Sequence, residues 1–187
     1  MTTKQKVWGK AILSSYNYLQ RMCDSIDLLV ERTALNSYFS VSSNFNDTTI
    51  DTVSRKIINL SNRKIGYINL KLIIDKALRS ISKIQAKIII LKYIHKYSIE
   101  KTSELLGISV RAGYRRLESA LSAFMATLTC MGYTAEKLEI EYSSDPFISS
   151  LLRLLEKNSY IIEEKAKVIS NDSVFNKYIS DLLVNVV

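Results

Sequence analysis

Three arginines stand close together in the segment SVRAGYRRLESAL, which covers positions 109–121. Arg111 and Arg115 are four residues apart, and on a helix this spacing places them on one face, a single turn from each other. The guanidinium group is a planar fork of donors that matches the O6 and N7 atoms of guanine in the major groove. The spacing therefore predicts that Arg111 and Arg115 read base edges. Arg116 and Tyr114 flank this face and are expected to contact phosphates.

The residues around these arginines predict a helix-turn-helix. Ser98 begins a short first helix, Gly107 supplies a turn that needs a positive φ, and Ser109 caps the second helix. Such a turn lets the second helix project from the body and enter a major groove. We expect Ser98, Lys101 and Ser109 to contact phosphates or flanking groups. The residues expected to face the core of this unit are Leu105, Leu106, Ile108, Val110, Leu117, Leu121, Phe124 and Leu128.

A further helix is predicted immediately before this unit, over positions 82–97. Between positions 79 and 116 there are nine basic residues, against Glu100 and Glu104 alone. The alternative to a DNA-binding unit is a helical hairpin with an arginine-rich solvent face. The residues of the preceding helix that are expected to face inward are Ile84, Ile88, Leu91 and Ile94.

The segment YSIEKTSELLGISVRAGYRRLESAL resembles region 4 of bacterial RNA polymerase sigma factors. The longer pattern, a heptad hairpin before this module, is similar to sigma-like phage regulators of late transcription. The resemblance covers roughly 4–124 and is specific over 91–121. It implies binding to promoter DNA near the −35 element and contact with RNA polymerase. Gly113 departs from the family pattern, which has an aliphatic residue there; this predicts a looser helix, or Tyr114 filling the space.

The first 78 residues predict a long helical hairpin. Positions 4–40 form one helix, 41–49 a polar loop and 50–78 a second helix. The expected role of this hairpin is a scaffold or a dimer contact. The coiled-coil-like seam of the first helix contains Ile12, Leu19, Met22, Ile26, Leu29 and Thr33. The face expected to pack against it from the second helix contains Ile50, Val53, Ile57, Leu60, Tyr67 and Ile74.

The residues after position 131 predict an acidic helical appendage. Gly132 is expected to end the recognition helix, Thr134 to cap a short helix, and Pro146 to stand in the first turn of the next one. A last helix is predicted from the segment NDSVFNKYISDLLVNV. This appendage could bind a partner or form a dimer, or it could cover the core.

Composition and charge set the class of the protein. Few glycines and a single proline, with long periodic runs of Ile, Leu, Lys and Glu, predict an all-α fold. Residues 1–130 carry 20 basic and 9 acidic residues (+11), whereas residues 131–187 carry 6 and 9 (−3). This asymmetry favours a polyanionic partner, double-stranded DNA, for the first part. The predicted domains are 1–78, 79–131 and 132–187.

The sequence contains no pattern that indicates catalysis. We expect no enzyme activity, no cofactor and no metal site, since His95 is the sole histidine and no phosphate-binding glycine loop is present. Cys23 and Cys130 are expected to be reduced, which agrees with a cytoplasmic location. No apolar run reaches the ~18 residues of a membrane span.

Two other functions fit the sequence less well than a transcriptional regulator. A phage small terminase-like protein would mark DNA for packaging with a helix-turn-helix and assemble into a ring. A helical interaction module would bind no nucleic acid. A complete sigma factor would also need exposed aromatic residues to melt DNA, and the candidates by type are Trp8, Tyr16, Tyr18, Tyr38 and Phe39.

Overall fold

The computed structural model describes residues 1–41 and 47–160, with the side chains of 1–36 and 50–155. These residues form seven α-helices and a π-helical turn and contain no strand. The all-α prediction is therefore confirmed. The helices are α1 (Thr3–Val41), α2 (Asp47–Ser80), α3 (Lys83–Ile89), α4 (Ile99–Leu105), α5 (Val110–Cys130), α6 (Ala135–Tyr142) and α7 (Pro146–Tyr160), and the π-helical turn is Ile90–Ile94.

The two long helices α1 and α2 pack as an antiparallel pair. The Tyr16 hydroxyl donates to Asp75 at 2.7 Å, and the Lys64 ammonium donates to both Asp27 oxygens at 2.6 and 2.7 Å. Asp27 lies after Tyr16 in α1, whereas its partner Lys64 lies before Asp75 in α2. This order shows that the two helices run antiparallel. The six residues of the predicted seam of α1 are all buried, and its coiled-coil character stays a prediction. Most of the predicted loop, at 42–46, lies outside the described residues.

The inward face of α2 differs in part from the prediction. Leu60, Tyr67 and Ile74 are buried as expected, but Ile50 is 51% exposed. Leu70 and Ile73 are buried in addition. The apolar residues of α2 are therefore divided between two faces, and only one face packs on α1.

The predicted helix over 82–97 is interrupted by the π-helical turn. The N–H of His95 donates to the carbonyl of Ile90 at 2.9 Å, and the Asn17 side-chain amide donates to the carbonyl of Ile94. The segment ends at Lys96, which has a φ of +57°. Ile88 is buried as predicted, and Leu91 and Ile94 are half-buried. Ile84 was wrongly assigned to the core, since it lies in the first turn of α3 and is 62% exposed.

The described part of the predicted appendage covers the helical hairpin. Thr134 caps α6, and the Asp145 carboxylate caps α7 by accepting from the N–H groups of Phe147 and Ile148, both at 3.0 Å. Phe147 is fully buried with its ring edge-on to Tyr18, 5.7 Å between centroids. Asp145 also accepts from the Tyr67 hydroxyl at 2.5 Å. The last predicted helix lies outside the described residues.

One buried cluster extends through all three predicted domains, from Trp8 in α1 to Leu151 in α7. The boundaries 1–78, 79–131 and 132–187 stay a prediction. Trp8 and Tyr18 are only 3% and 1% exposed, so neither can stack on an unpaired base. The side chains of Tyr38 and Phe39 lie outside the described set. Cys23 is buried, Cys130 is exposed, and both are free thiols.

Candidate nucleic-acid interface

The turn between α4 and α5 is built on Gly107. Its φ is +64°, a conformation that L side chains rarely adopt. The N–H of Gly107 donates to the carbonyl of Glu104, and the N–H of Ile108 donates to that of Ser103, both at 3.0 Å. These two bonds form a Schellman motif, which ends α4 and redirects the chain. The turn therefore has the position and geometry that the sequence predicts.

Two serine hydroxyls fix where the helices of this unit begin. Ser98 accepts from the N–H of Lys101 at 3.2 Å, and Ser109 accepts from the N–H of Ala112 at 3.3 Å. Each satisfies a donor that a helix N-terminus leaves free. The pKa of the Glu100 carboxyl is lowered, first by its own backbone N–H and then by the Ser98 hydroxyl. The first turn of α4 is thus well capped, and contact of Ser98 or Ser109 with DNA stays a prediction.

The leading turns of α5 expose Arg111, Arg115 and Arg116 to solvent. Within the described part of the chain these guanidinium groups make no hydrogen bond or ion pair. Tyr114 is also 57% exposed. Leu121 is buried on the opposite side of α5, and Leu117 is half-buried there. The arrangement leaves a row of free cations beside an exposed aromatic ring, as an interface with a polyanion requires.

The turn residues are less buried than predicted. Leu105 is 47% exposed and Val110 is 41% exposed, while Ile108 and Leu106 are half-buried. Leu105 is the last residue of α4 and Val110 the first of α5, so both stand at the turn, where their side chains are partly open to solvent. The buried residues are instead Ile99, Thr102 and Ser103 in α4 and, in the first turns of α5, Gly113.

Gly113 is the point at which α5 comes closest to α4. A Cβ atom built on Gly113 would lie 2.0 Å from the Ser103 Oγ and 3.3 Å from the Ser103 Cβ. The expectation that Tyr114 fills a gap beside Gly113 is therefore wrong, and a looser α5 stays a prediction. The close approach of the two helices already fills the space, and Tyr114 points outward. The Ser103 and Thr102 hydroxyls are buried there, with no hydrogen-bond partner among the described residues.

The first turns of α1 hold the rear of α5 in place, which sequence reasoning did not predict. The Lys6 ammonium donates to the Glu118 carboxylate, and this bond lowers the pKa of Glu118. A Cβ on Gly9 would lie 2.9 Å from the Met125 sulfur, so α1 and α5 also approach closely. These contacts lie beyond Leu117, so the leading turns of α5 stay open. The signal in the sequence was Gly9, a glycine inside a long predicted helix.

Several other cations of this region have partners within the chain. Lys101 pairs with Glu104 at 3.1 Å, both side chains being largely exposed. Lys92 donates to the carbonyl of Tyr97 at 3.3 Å, and Lys96 donates to the Tyr18 hydroxyl at 2.5 Å. An exposed ion pair contributes little to stability and is readily exchanged. The contact of Lys101 with a phosphate stays a prediction.

The described residues show neither a metal-binding cluster nor a membrane-spanning helix. No group of three or more His, Cys, Asp or Glu is placed to hold a metal ion in that part of the chain. None of the described helices combines the length and apolar character needed to cross a membrane.

Comparison with known proteins identifies the region that contains this interface. Residues 71–123, 53 of the 187 residues, match the family model described as Sigma-70, region 4. The match extends from the second half of α2 to Ala123 in α5 and includes the turn, both serine caps and the three arginines. No curated protein and no solved structure matches the chain significantly.

Proposed function

We propose how this chain binds DNA and regulates transcription. The basis is the sigma region 4-like helix-turn-helix of residues 71–123, which implies a DNA-binding, sigma-like regulatory role. The chain is a sequence-specific transcriptional regulator of the phage or mobile-element type. It places α5 in the major groove of promoter DNA near the −35 element and contacts RNA polymerase. Arg111 and Arg115 read base edges, whereas Ser98, Lys101, Ser109, Tyr114 and Arg116 contact phosphates or flanking groups.

The observation that carries this proposal is the state of the arginines on α5. They are exposed and have no partner in the described part of the chain. They stand on the first two turns of α5, directly after its N-cap Ser109. The leading turns of a recognition helix are the part that reaches base edges. Arg116 is rotated about 100° from Arg115, towards the wall of the groove. The proposal therefore separates base-reading from phosphate-binding residues on one helix.

Binding-site selection on random duplex DNA tests this separation. Arg111→Ala and Arg115→Ala should each weaken binding to the preferred site by about 1–3 kcal/mol and flatten the preference at one base position. Arg116→Ala should weaken all sequences alike. Arg153→Ala is the matched control, because Arg153 is exposed on α7, outside the matched region. If Arg111→Ala and Arg115→Ala behave as Arg153→Ala does, α5 does not read bases.

The dependence of affinity on salt tests the electrostatic part of the interface. Neutralising each phosphate releases counterions, so affinity should fall roughly ten- to thousand-fold between about 50 and 200 mM salt for about 2–6 phosphate contacts. The +11 charge of residues 1–130 motivates this expectation. A constant affinity across that range would exclude it.

The proposed contact with RNA polymerase needs its own measurement. Co-purification of the full chain with polymerase, in the presence of a nuclease that removes DNA, should retain the complex. The Arg111→Ala/Arg115→Ala variant should still co-purify, because its helices are unchanged. Loss of the complex on nuclease treatment would mean that the two proteins meet only through DNA.

A further inference from the structure

The face of α2 that points away from the core carries a stripe of exposed aliphatic side chains. Ile58, Ile65 and Leu72 are 57%, 55% and 60% exposed, and Ile68 between them is 43% exposed. The groove beside this stripe, between α1 and α2, has a volume of about 260 Å³ and is lined by residues such as Cys23, Ile68 and Leu72. No other described element covers this face, so the stripe is an unpartnered apolar surface.

The spacing of the stripe is that of a helix that pairs with another helix. Ile58, Ile65 and Leu72 recur every seven residues, and Ile68 takes the intermediate position three residues after Ile65. The same seven-residue series continues to Asp51 on one side and to Arg79 on the other, both exposed. The five positions span about 42 Å of helix at 1.5 Å per residue.

The order of these five residues makes the series complementary to itself in reverse. If two copies of α2 lie antiparallel around Ile65, Asp51 meets Arg79 of the partner, Ile58 meets Leu72, and Ile65 meets Ile65. A parallel pair would instead set Asp51 against Asp51 and Arg79 against Arg79, which is unfavourable for like charges. We propose that this face of α2 binds α2 of a second copy of the chain in antiparallel orientation, forming a symmetric dimer.

The residues beside the stripe are compatible with this pairing. Asn62 and Asn69 flank it on one side and carry no charge that would repel an identical helix. On the other side, the ammonium group of Lys64 is held by Asp27. Asp51 pairs with Arg55 of its own helix at 2.9 Å, but both side chains are largely exposed, so this pair can be exchanged for Arg79 of a partner.

Light scattering of the full chain at tens of micromolar tests the dimer. The wild type should have the mass of a dimer, and Ile65→Lys should weaken association by about tenfold or more while leaving the circular dichroism spectrum unchanged. Ile140→Lys is the matched control, because Ile140 is 81% exposed on α6, and it should remain a dimer. A monomeric wild type, as expected if residues 161–187 cover the stripe, or a ring-sized oligomer overturns the proposal.

Charge reversal tests the orientation. Asp51→Arg should weaken the dimer roughly threefold to tenfold, because both exposed ion pairs become repulsive. Asp51→Arg/Arg79→Asp restores opposite charges only in an antiparallel pair, so it should return association to the wild-type value. A double variant no better than Asp51→Arg excludes this arrangement.

Cross-linking tests the same point independently. In a Cys130→Ser background, which removes the exposed native thiol, a mixture of Ile58→Cys and Leu72→Cys chains should oxidise to the mixed disulfide. Each variant cross-linked only to itself would show a parallel pair and overturn the proposal. None of these experiments involves DNA, so their outcome is separate from that of the proposed DNA-binding function.

Discussion

The α1–α2 hairpin and the α4–α5 helix-turn-helix are two helix pairs that pack by different means. In the hairpin, large side chains such as Leu19, Met22 and Ile74 are buried to 1% exposure or less. Between α4 and α5 the contact is made by Gly113 and the side chain of Ser103, which occupies the place of a Cβ on Gly113. Large side chains supply stability in proportion to the apolar area they bury. A contact between a glycine and a small side chain buries little area, but it limits how the two helices can be placed relative to each other.

This difference separates two functions within one fold. The hairpin buries many of the large side chains of the core, and the contact between α4 and α5 sets the orientation of the helix that we propose reads bases. Substitutions in the first region should therefore change the free energy of unfolding more than they change binding. Substitutions at the contact between α4 and α5 should weaken DNA binding even where they lower the free energy of unfolding only slightly.

The largest effect is expected in the hairpin. Leu19→Ala should lower the free energy of unfolding by about 2–5 kcal/mol, because the removed methyl groups leave a cavity in a packed core. Leu28→Ala on the same helix is the control, since Leu28 is 65% exposed, and it should change stability by less than about 0.5 kcal/mol. Urea denaturation measures both. Equal losses for the two variants would contradict the assignment of the core.

An intermediate effect is expected where α4 meets α5. Gly113→Val should cost about 1–3 kcal/mol of stability, because its side chain overlaps the Ser103 hydroxyl. It should also weaken DNA binding by the folded protein, since α5 has to move. Adding Ser103→Gly removes the overlap and should recover part of both losses in a double-mutant cycle. Strictly additive losses would show that the two residues do not control the distance between the helices.

A smaller effect is expected at the two glycines with positive φ. Gly107 and Gly132 have φ values of +64° and +86°, and a Cβ on either would touch nothing within 4 Å. Alanine at each position should therefore cost only the conformational strain, about 1–2 kcal/mol, with asparagine costing less. Gly107→Ala should also lower DNA affinity, whereas Gly132→Ala, at the far end of α5, should not. Equal DNA affinity for both variants would show that the conformation of the turn at Gly107 does not affect DNA binding.

The sequence predicted these regions to different extents, for physical reasons. The burial of the α1 seam residues and the caps at Ser98, Ser109 and Thr134 follow from local spacing and local hydrogen bonds, and the structure shows them. The exposure of Val110 and Leu105 depends on how the rest of the molecule packs around the turn, which no local pattern states. The predicted burial of Ile50 and Ile84 was wrong for a similar reason. Each is apolar and fits the helical spacing of the buried face, but each lies near a helix end.

Two features depended on contacts between distant segments and were not predicted. The π-helical turn at Ile90–Ile94 is accompanied by a bond from Asn17, 77 residues before Ile94. The close approach at Gly113 depends on Ser103, which the sequence placed in the preceding helix without assigning it a role. Gly9 and Gly113 are both glycines inside a helical pattern. Each marks a place where a neighbouring helix comes close.

A pH-dependent effect is expected at a polar bond at the edge of the hairpin. Burial, followed by the hydrogen bond to Asp75, raises the pKa of Tyr16 to about 12, from an ordinary value near 10. The neutral phenol is thus the form that the folded state favours. Its contribution to stability is fully present below about pH 10 and is lost as the pH rises from about 10 to about 12. Tyr16→Phe cannot ionise, so the difference in unfolding free energy between wild type and variant should shrink over this range. Other tyrosines titrate in both proteins and cancel in that difference. Parallel stability curves from pH 9 to 12 would show that neither burial nor the bond to Asp75 favours the neutral form of Tyr16 in the folded state.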